Sequence, residues 1–327
     1  MRRRDFIALI GGAVAARSIA ARAQQAAGHS VHLGFLGAAT ATGYAAEVEA
    51  LRAGLRDLGY AEGKDLVIDF RWAKGKYDQL PELARELVGL NIDVLVTHGT
   101  PGALAAEKAT STIPIVMAIT GDPIATGIVS SIRRPDRNIT GSSFFSPELA
   151  AKRIELIKQG IPRLARVGML VNPDNRSMDT VFDAASGTAG ALGLALQQFR
   201  VQRPSDFDDA IKAVRASHAD ALLIPEDGML IANVAPIVRL ATEARIPTIG
   251  FQQVATSGGF MAYGVNIPQT FRYAAVFIDK IIKGARPEDL PIERATKFEM
   301  TINLKTAGAL GIDVAPQLLA LADQVIE

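Results

Sequence analysis

Short apolar runs alternate with stretches of helical period along the chain after about residue 30. Apolar positions recurring every three to four residues predict helices, and short runs rich in β-branched residues predict strands. The predicted strands are 31–36, 66–70, 93–97 and 115–118, and the predicted helices are 44–58, 79–88 and 102–109. This alternation is typical of parallel strands joined by crossover helices, so it predicts an open α/β sheet.

The same layout then starts again. The second set of predicted strands is 165–171, 196–201, 221–224 and 248–251, with helices at 178–192, 207–216 and 230–244. The two sets share a pattern but no close repeat in sequence, and they separate near residues 142–148. Two similar lobes are therefore expected. The last elements, strands 259–263 and 298–303 and helix 270–283, are the ones that could pass between the lobes.

Length, charge and cysteine content narrow the class of protein. The chain has 327 residues, of which 49% are hydrophobic, and this is enough to bury two cores. The net charge of +1 includes five arginines and one aspartate in residues 1–23, so the remainder carries 35 − 5 = 30 basic and 34 − 1 = 33 acidic residues, a net of −3. An acidic remainder has no affinity for phosphate backbones, so no nucleic-acid partner is expected. Without cysteine there is no disulfide and no lipid-modified cysteine.

Residues 1–23 have the layout of a secretory signal peptide. A basic head with Arg3 and Arg4 precedes an apolar run over 6–16, and Ala21 and Ala23 provide the small residues that a signal peptidase reads. The run is too short to anchor a protein in a bilayer, which takes about 20 residues. Two arginines followed by Asp5 and a phenylalanine are typical of the twin-arginine variant. We expect a protein exported to the periplasm that is soluble and not lipid-anchored.

The loops that follow the predicted strands are where a ligand would bind, because open parallel sheets bind ligands outside the carboxyl ends of their strands. The first such loop carries Thr40 and Thr42, and the third carries Gly99 and Thr100. Both loops open a helix, and free N–H groups at a helix start can hold a carboxylate. Simple N-capping by the threonines is the alternative.

Acidic and amide side chains follow other predicted strands. Asp122 follows the fourth strand, and it either accepts a hydrogen bond from an amino group or closes a turn before Pro123. In the second series Asn172, Asp227 and Phe251 occupy the equivalent strand ends. The acids and amides could meet an ammonium group, and solvated turns are the alternative for each.

Patterns that carry catalysis or bind cofactors are absent from the sequence. The four histidines are scattered without metal-ligand spacing, and there is neither a G-x-S-x-G elbow nor a phosphate-binding G-x-x-x-x-G-K-[ST] loop. Residues 34–43 do not form the G-x-G-x-x-G dinucleotide fingerprint. Trp72, the single tryptophan, is expected to pack in a core. No enzyme activity, metal or cofactor is predicted.

A series of short segments, in order along nearly the whole chain after the signal, matches a known family. The segments are 51–60 (LRAGLRDLGY), 62–64 (EGK), 99–101 (GTP), 109–116 (ATSTIPIV), 121–123 (GDP), 127–131 (GIVSS), 138–141 (NITG), 258–264 (GGFMAYG), 282–285 (IKGA), 289–291 (DLP) and 302–307 (INLKTA). In these segments the chain resembles the substrate-binding proteins of ABC importers, in the group linked to tryptophan or tyrosine uptake. Asp136 departs from the family, which usually has glycine there.

The resemblance implies a type I periplasmic binding protein fold, with two Rossmann-like lobes joined by a three-crossover hinge. The lobes would be 30–144 with 254–288, and 145–253 with 289–327. A ligand would lie between them, its carboxylate on Thr100 and Thr120 and its ammonium on Asp227. Asn172 and Phe251 would lie nearby, and Tyr263 of the 258–264 segment completes the candidate contacts.

The function implied is capture of a small solute in the periplasm, either an amino acid, aromatic ones included, or a related organic acid. The solute would be delivered to an ABC permease and its ATPase by a monomeric receptor. Two other classes stay open. A sugar-repressor-like regulator of this fold would need a DNA-binding domain of roughly 60 residues before the first lobe. An exported α/β hydrolase would need a nucleophile–base pair.

Overall fold

A computed structural model describes residues 30–327, which form two sheets flanked by helices. The predicted signal peptide lies outside the described residues. Within them, no helix is both long and apolar enough to cross a membrane.

The first sheet has six strands, all parallel, in the order β11-β5-β4-β3-β1-β2. Four of its strands are nearly or fully buried, because helices cover both faces of the sheet. The strands are β1 (Val31–Gly37), β2 (Leu66–Trp72), β3 (Val94–Thr97), β4 (Ile115–Thr120), β5 (Ile139–Ser143) and β11 (Glu293–Arg294).

The second sheet has seven strands in the order β13-β12-β10-β9-β8-β6-β7. Only the β10–β12 pair is antiparallel in this sheet. Its strands are β6 (Arg166–Val171), β7 (Ala195–Arg200), β8 (Ala221–Ile224), β9 (Thr248–Gly250), β10 (Met261–Gly264), β12 (Glu299–Asn303) and β13 (Gln324–Ile326).

Twelve α-helices connect these strands in the described part of the chain. They are α1 (Ala45–Asp57), α2 (Leu80–Val88), α3 (Gly99–Ala109), α4 (Ser146–Gly160), α5 (Ser177–Ala191), α6 (Phe207–Ala216), α7 (Gly228–Ala232), α8 (Val234–Glu243), α9 (Gln252–Thr256), α10 (Ile267–Ile282), α11 (Leu304–Leu310) and α12 (Pro316–Leu319). Short 3₁₀ turns lie at Thr42–Tyr44, Tyr77–Gln79, Pro204–Asp206 and Pro287–Asp289.

The predicted fold class is confirmed, and the chain passes between the sheets three times. It leaves the first sheet after β5, returns after β10, and leaves again between β11 and β12. On its return it forms α10, which packs against α1 and β4 of the first sheet. These three passages form the predicted hinge.

The predicted lobe boundaries differ from the sheets in two places. Strand β10 was placed in the first lobe, but it pairs with β9 and β12 of the second sheet. Strand β11 was placed in the second lobe, but its two residues pair with Ser142 and Ser143 in the first sheet. The boundaries were those that the family resemblance implied, and the order of segments along the chain does not identify the sheet in which a strand pairs.

One buried cluster runs from the first sheet into the facing side of the second. It includes Phe35 and Leu51 on the first side and Met229 and Phe251 on the second. A smaller cluster around Ile154 and Phe260 fills the other face of the second sheet. Trp72 packs against Phe35, with ring centroids 5.2 Å apart, as the sequence predicted. The two sheets therefore share apolar contacts where they meet.

Candidate functional site

A small cavity of about 30 Å³ lies where the two sheets face each other. Because both sheets contribute loops from the carboxyl ends of their strands, the cavity lies where an open α/β fold binds ligands. Its wall on the first sheet is formed by Tyr44, His98, Gly99, Thr100, Ile119, Gly121, Phe144 and Ser146. Its other wall is formed by Asn175, Ser177, Glu226, Asp227, Gly228 and Ile231, and Ile267 follows the second crossover.

Two buried hydroxyls on the first wall have no hydrogen-bond partner within residues 30–327. They are Thr100 Oγ1 and Ser146 Oγ. A Cβ built on Gly121 would lie 3.0 Å from Ser146 Oγ and 3.6 Å from Thr100 Oγ1, so both hydroxyls border the space that this glycine leaves open. A buried polar atom without a partner is costly, about 1–3 kcal/mol. A ligand oxygen that accepted from these hydroxyls would remove that cost.

The local fold brings Thr100 to the cavity. Gly99 begins α3 with φ of +69°, a left-handed conformation that glycine adopts without steric cost. The chain then turns directly into the helix, and Thr100 is only 2% exposed at its first turn. Free N–H groups at the start of α3 add partial positive charge to this wall.

His98 is a neutral side chain of the same wall. Burial lowers the pKa of His98 to about 3, so its imidazole carries no charge at neutral pH. Its Nε2 accepts a hydrogen bond from the Ala38 backbone N–H at 3.3 Å, which leaves the proton on Nδ1. The ring packs against Tyr44 at an interplanar angle of 31°, with centroids 4.2 Å apart. The first wall is therefore uncharged but rich in hydrogen-bond donors.

Asp227 is the centre of the second wall. It caps α7 by accepting from the backbone N–H groups of Met229 and Leu230, and it also accepts from the amides of Asn172 and Asn175. Burial raises the pKa of its carboxyl group, and these hydrogen bonds act in the opposite direction. The carboxylate is thus held among donors with only 2% of the residue exposed.

Glu226, which lines the cavity, forms an ion pair with Arg153, which does not. The guanidinium of Arg153 donates to both oxygens of Glu226, at 2.7 and 2.5 Å, and to the backbone oxygen of Tyr263 at 2.7 Å. Arg153 is fully buried. Since this pair is internally neutral, Asp227 provides the uncompensated negative charge when it is ionised.

Three of the predicted site residues line the cavity, namely Gly99, Thr100 and Asp227. Asn172 lies one contact away, because its amide donates to Asp227 at 3.3 Å. Thr120 ends β4 with a buried hydroxyl that has no partner among residues 30–327, but it does not line the cavity. Phe251 is fully buried in the shared core at the start of α9.

Four other predicted site residues lie outside the cavity. Thr40 Oγ1 accepts from Gly43 N–H at 3.2 Å and meets Thr42 Oγ1 at 3.3 Å, so this loop is held by its own hydroxyls. Asp122 accepts hydrogen bonds from the backbone N–H groups of Ile124 and Ala125. It therefore closes the turn at Pro123, which was the alternative to contact with an amino group. Tyr263 stacks on Phe298 in the second sheet, with ring centroids 6.1 Å apart.

Several residues that line the cavity were not predicted from the sequence. Asn175 and Ser177 lie just beyond the predicted strand end at Asn172, and Glu226 precedes Asp227, so proximity was an available signal. Ser146 begins α4, a helix that was not predicted although Ser146-Pro147-Glu148 is a helix-start sequence. Tyr44 belongs to an aromatic cluster that only the fold assembles.

No group of three or more His, Cys, Asp or Glu residues in the part of the chain that the structure describes is arranged to hold a metal ion.

The sequence matches the ABC transporter substrate binding protein family over residues 40–326. The chain belongs to this family. This ABC transporter substrate-binding protein is 26% identical over 257 residues to a tyrosine-binding protein of Clostridioides difficile (strain R20291), covering 78% of this chain and 74% of that protein.

Two solved structures resemble this substrate-binding protein along most of its length. A conserved domain protein from Vibrio cholerae superposes with a TM-score of 0.84 at 27% identity, covering 90% of this chain and 99% of that one. The ABC domain from Streptococcus pneumonia in complex with L-Trp superposes with a TM-score of 0.81 at 25% identity, covering 90% and 100% of the two chains.

Proposed function

We propose that this protein is the receptor of an ABC importer for an amino acid with an aromatic side chain. The observation that carries the proposal is the composition of the cavity walls. Unpartnered hydroxyls of Thr100 and Ser146 line one side, and the carboxyl group of Asp227 lines the other. Such walls are complementary to the carboxylate and the ammonium of a zwitterion.

The carboxylate is assigned to the first wall, where Thr100 and Ser146 would donate hydrogen bonds alongside the start of α3. The ammonium is assigned to the second wall, near Asp227. Tyr44 and Ile231 offer apolar surface to the ligand side chain. The tyrosine-binding relative and the structure in complex with L-Trp support an aromatic amino acid.

Binding by lobe closure follows from the size of the cavity. Small-molecule sites are typically about 300–1,000 Å³, whereas this cavity is about 30 Å³. The lobes must therefore part to admit an amino acid and close over it afterwards. We assign β1–β5, α10 and β11 to one lobe, and β6–β10, β12 and β13 to the other.

The proposed cellular role places the protein in the periplasm, where it delivers its ligand to a membrane permease and its ATPase. Export rests on the signal-like residues 1–23. Recovery of periplasmic protein whose first residue is Gln24 would support it, whereas cytoplasmic protein that retains Met1 would contradict it.

Calorimetric titration with tyrosine, tryptophan, phenylalanine, leucine and benzoate tests the ligand class. We expect the aromatic amino acids to bind more tightly than leucine or benzoate, because only they present a carboxylate, an ammonium and a ring together. A protein that bound none of the five would overturn the proposal.

A matched pair of variants tests the carboxylate assignment. Thr100→Val keeps the shape of the side chain and removes the hydroxyl, so we expect a loss of affinity of about 1–3 kcal/mol. Thr242→Val is the control, because its hydroxyl bonds to Val238 O within α8, away from the cavity. Equal affinities for the two variants would exclude Thr100 from the site.

A further inference from the structure

The phenol of Tyr77 bridges the two walls beside the cavity. Tyr77 lies in the turn that follows β2 of the first sheet, and its hydroxyl is 3.0 Å from each oxygen of Asp227 in the second. The same hydroxyl accepts from Met229 N–H at 2.9 Å. Tyr77 is 7% exposed and Asp227 is 2% exposed. This one hydroxyl thus donates to Asp227 and accepts from Met229 across the interface.

The hydrogen bond between Tyr77 and Asp227 lies between the cavity and an outer groove. Asp227 lines the cavity, but Tyr77 does not. Tyr77 instead lines an outer groove of about 340 Å³, together with Pro101 and Leu104 of the first sheet's side and Asp174 of the second. The bridge between Tyr77 and Asp227 therefore separates the cavity from the groove.

Small residues bring the two sides close around the bridge. A Cβ on Gly228 would lie 3.1 Å from the Tyr77 hydroxyl and 3.2 Å from Ala38 Cβ, a spacing that leaves little room for a side chain. A Cβ on Gly43 would lie 2.5 Å from Ala232 Cβ. The glycines thus allow the backbones of both sides to approach closely enough for the tyrosine to reach Asp227.

We propose that Tyr77 is a latch: its hydroxyl bonds to Asp227 when the lobes close, holds them closed and retains the ligand behind it. Tyr77 is a positioning residue, since it acts on Asp227 and on the lobes and not on the ligand itself. Retention of the ligand rests on the proposed function, whereas holding the lobes together does not.

A matched pair of tyrosine variants tests the latch. Tyr77→Phe keeps the ring and removes only the hydroxyl. Tyr60→Phe is the control, because Tyr60 also donates to an aspartate, Asp279, at 2.9 Å, but both residues lie on the first sheet's side. Stopped-flow fluorescence of Trp72, the single tryptophan, would give the rate constants for tyrosine. Small-angle scattering would give the radius of gyration without ligand.

We expect Tyr77→Phe to raise koff about tenfold, which is the loss expected for one hydrogen bond to a charged group, with little change in kon. Its radius of gyration without ligand should increase as the open form gains population. Tyr60→Phe should match the wild type in both measurements. A koff within twofold of the wild-type value, together with an unchanged radius, would overturn the latch.

A second variant approaches the latch from the other side. Gly228→Ala places a methyl group against the Tyr77 hydroxyl, so it should raise koff and the radius in the same direction while Tyr77 itself is intact. A Gly228→Ala protein with wild-type koff and radius would count against the latch. If wild-type protein binds no amino acid, the proposed function fails, and the scattering comparison still decides whether Tyr77 holds the lobes.

Discussion

Buried charge is the main energetic risk at the scale of single residues. Arg153 has no exposure to solvent, and its charge is balanced by Glu226 at 2.5 Å. Removing one partner of a buried pair leaves the other charged and unsolvated, which costs more than the intact pair contributes. The pair also connects α4 to the end of β10, next to the second crossover, so it fixes the geometry of the second wall.

Replacing Arg153 with methionine should destabilise the fold by about 3–5 kcal/mol in urea unfolding, because Glu226 is left buried without its partner. Arg153→Met combined with Glu226→Leu should recover most of the lost stability, since no unpaired charge remains. A double variant no more stable than Arg153→Met would contradict this account.

Glu47 is a second buried acid, and it makes stability depend on pH. Burial raises the pKa of Glu47 from its ordinary value of 4.5, while a hydrogen bond from Gln253 across the interface acts in the opposite direction. The folded protein therefore binds this proton more readily than the unfolded chain does. Its contribution is fully present below pH 4.5 and is lost as the pH rises through the raised pKa.

Glu47→Gln should therefore have a higher melting temperature than the wild type at pH 7, and the difference should disappear near pH 4. Glu49→Gln on the same helix is the matched control, because Arg56 lowers the pKa of the exposed Glu49 and its replacement should not raise the melting temperature. Parallel melting curves from pH 4 to pH 8 provide the measurement. A Glu47→Gln protein with a lower melting temperature than the wild type at pH 7 would contradict the predicted destabilising effect of the buried Glu47 charge.

At the scale of elements, the contact between α1 and α10 depends on a glycine. Gly54 of α1 faces α10, and a Cβ there would lie 2.3 Å from Arg272 O and 2.9 Å from Ala275 Cβ. The crossover helix α10 can lie against the first sheet only because α1 offers no side chain at this point. Gly54 thus joins the second crossover to the lobe it returns to.

Alanine normally stabilises a helix interior relative to glycine, and Gly54→Ala should do the opposite. We expect it to lower the free energy of unfolding by about 1–3 kcal/mol through overpacking. Gly187→Ala in α5, where no atom lies within 4 Å of the new Cβ, should raise it by about 0.5–1 kcal/mol. Urea unfolding of both variants would measure the contrast, and changes of the same sign would refute it.

The predicted elements show what local sequence determines. Helix α6 has its predicted bounds, and β1 extends one residue beyond prediction, because apolar period is a local property. Strand β5 was missed, since its sequence ITGSS is polar although the strand is fully buried. For the site, the loop at Thr100 could be predicted from a strand end, whereas Tyr44 and Tyr77 reach the interface only through packing of distant segments.

At the scale of the whole molecule, the proposed function depends on how closely the two lobes approach each other. Gly43 and Ala232 meet where the first 3₁₀ turn faces α7. Because a Cβ on Gly43 would already lie 2.5 Å from Ala232 Cβ, we expect a larger side chain there to hold the two sides apart. Closure can therefore be tested separately from stability.

Gly43→Leu should hold the lobes open and weaken ligand binding by more than tenfold, with a melting temperature close to that of the wild type without ligand. Gly187→Leu on the exposed face of α5 is the matched control and should bind normally. Calorimetry would measure the ligand affinity of both variants, and small-angle scattering would measure their radius of gyration. Tight binding by Gly43→Leu would show that closure does not depend on the contact between Gly43 and Ala232.

The order in which the chain is synthesised bears on how β11 joins its sheet. This strand pairs with β5, and residues 293–294 meet Ser142 and Ser143 about 150 positions earlier. At about 5–20 residues per second, a ribosome needs many seconds to make the intervening segment. Five strands of the second sheet, β6 to β10, precede β11 in the chain and are synthesised before it. The lobe that begins first is therefore finished late, and its β5 edge stays open to chaperones or aggregation until nearly the whole chain has been translated.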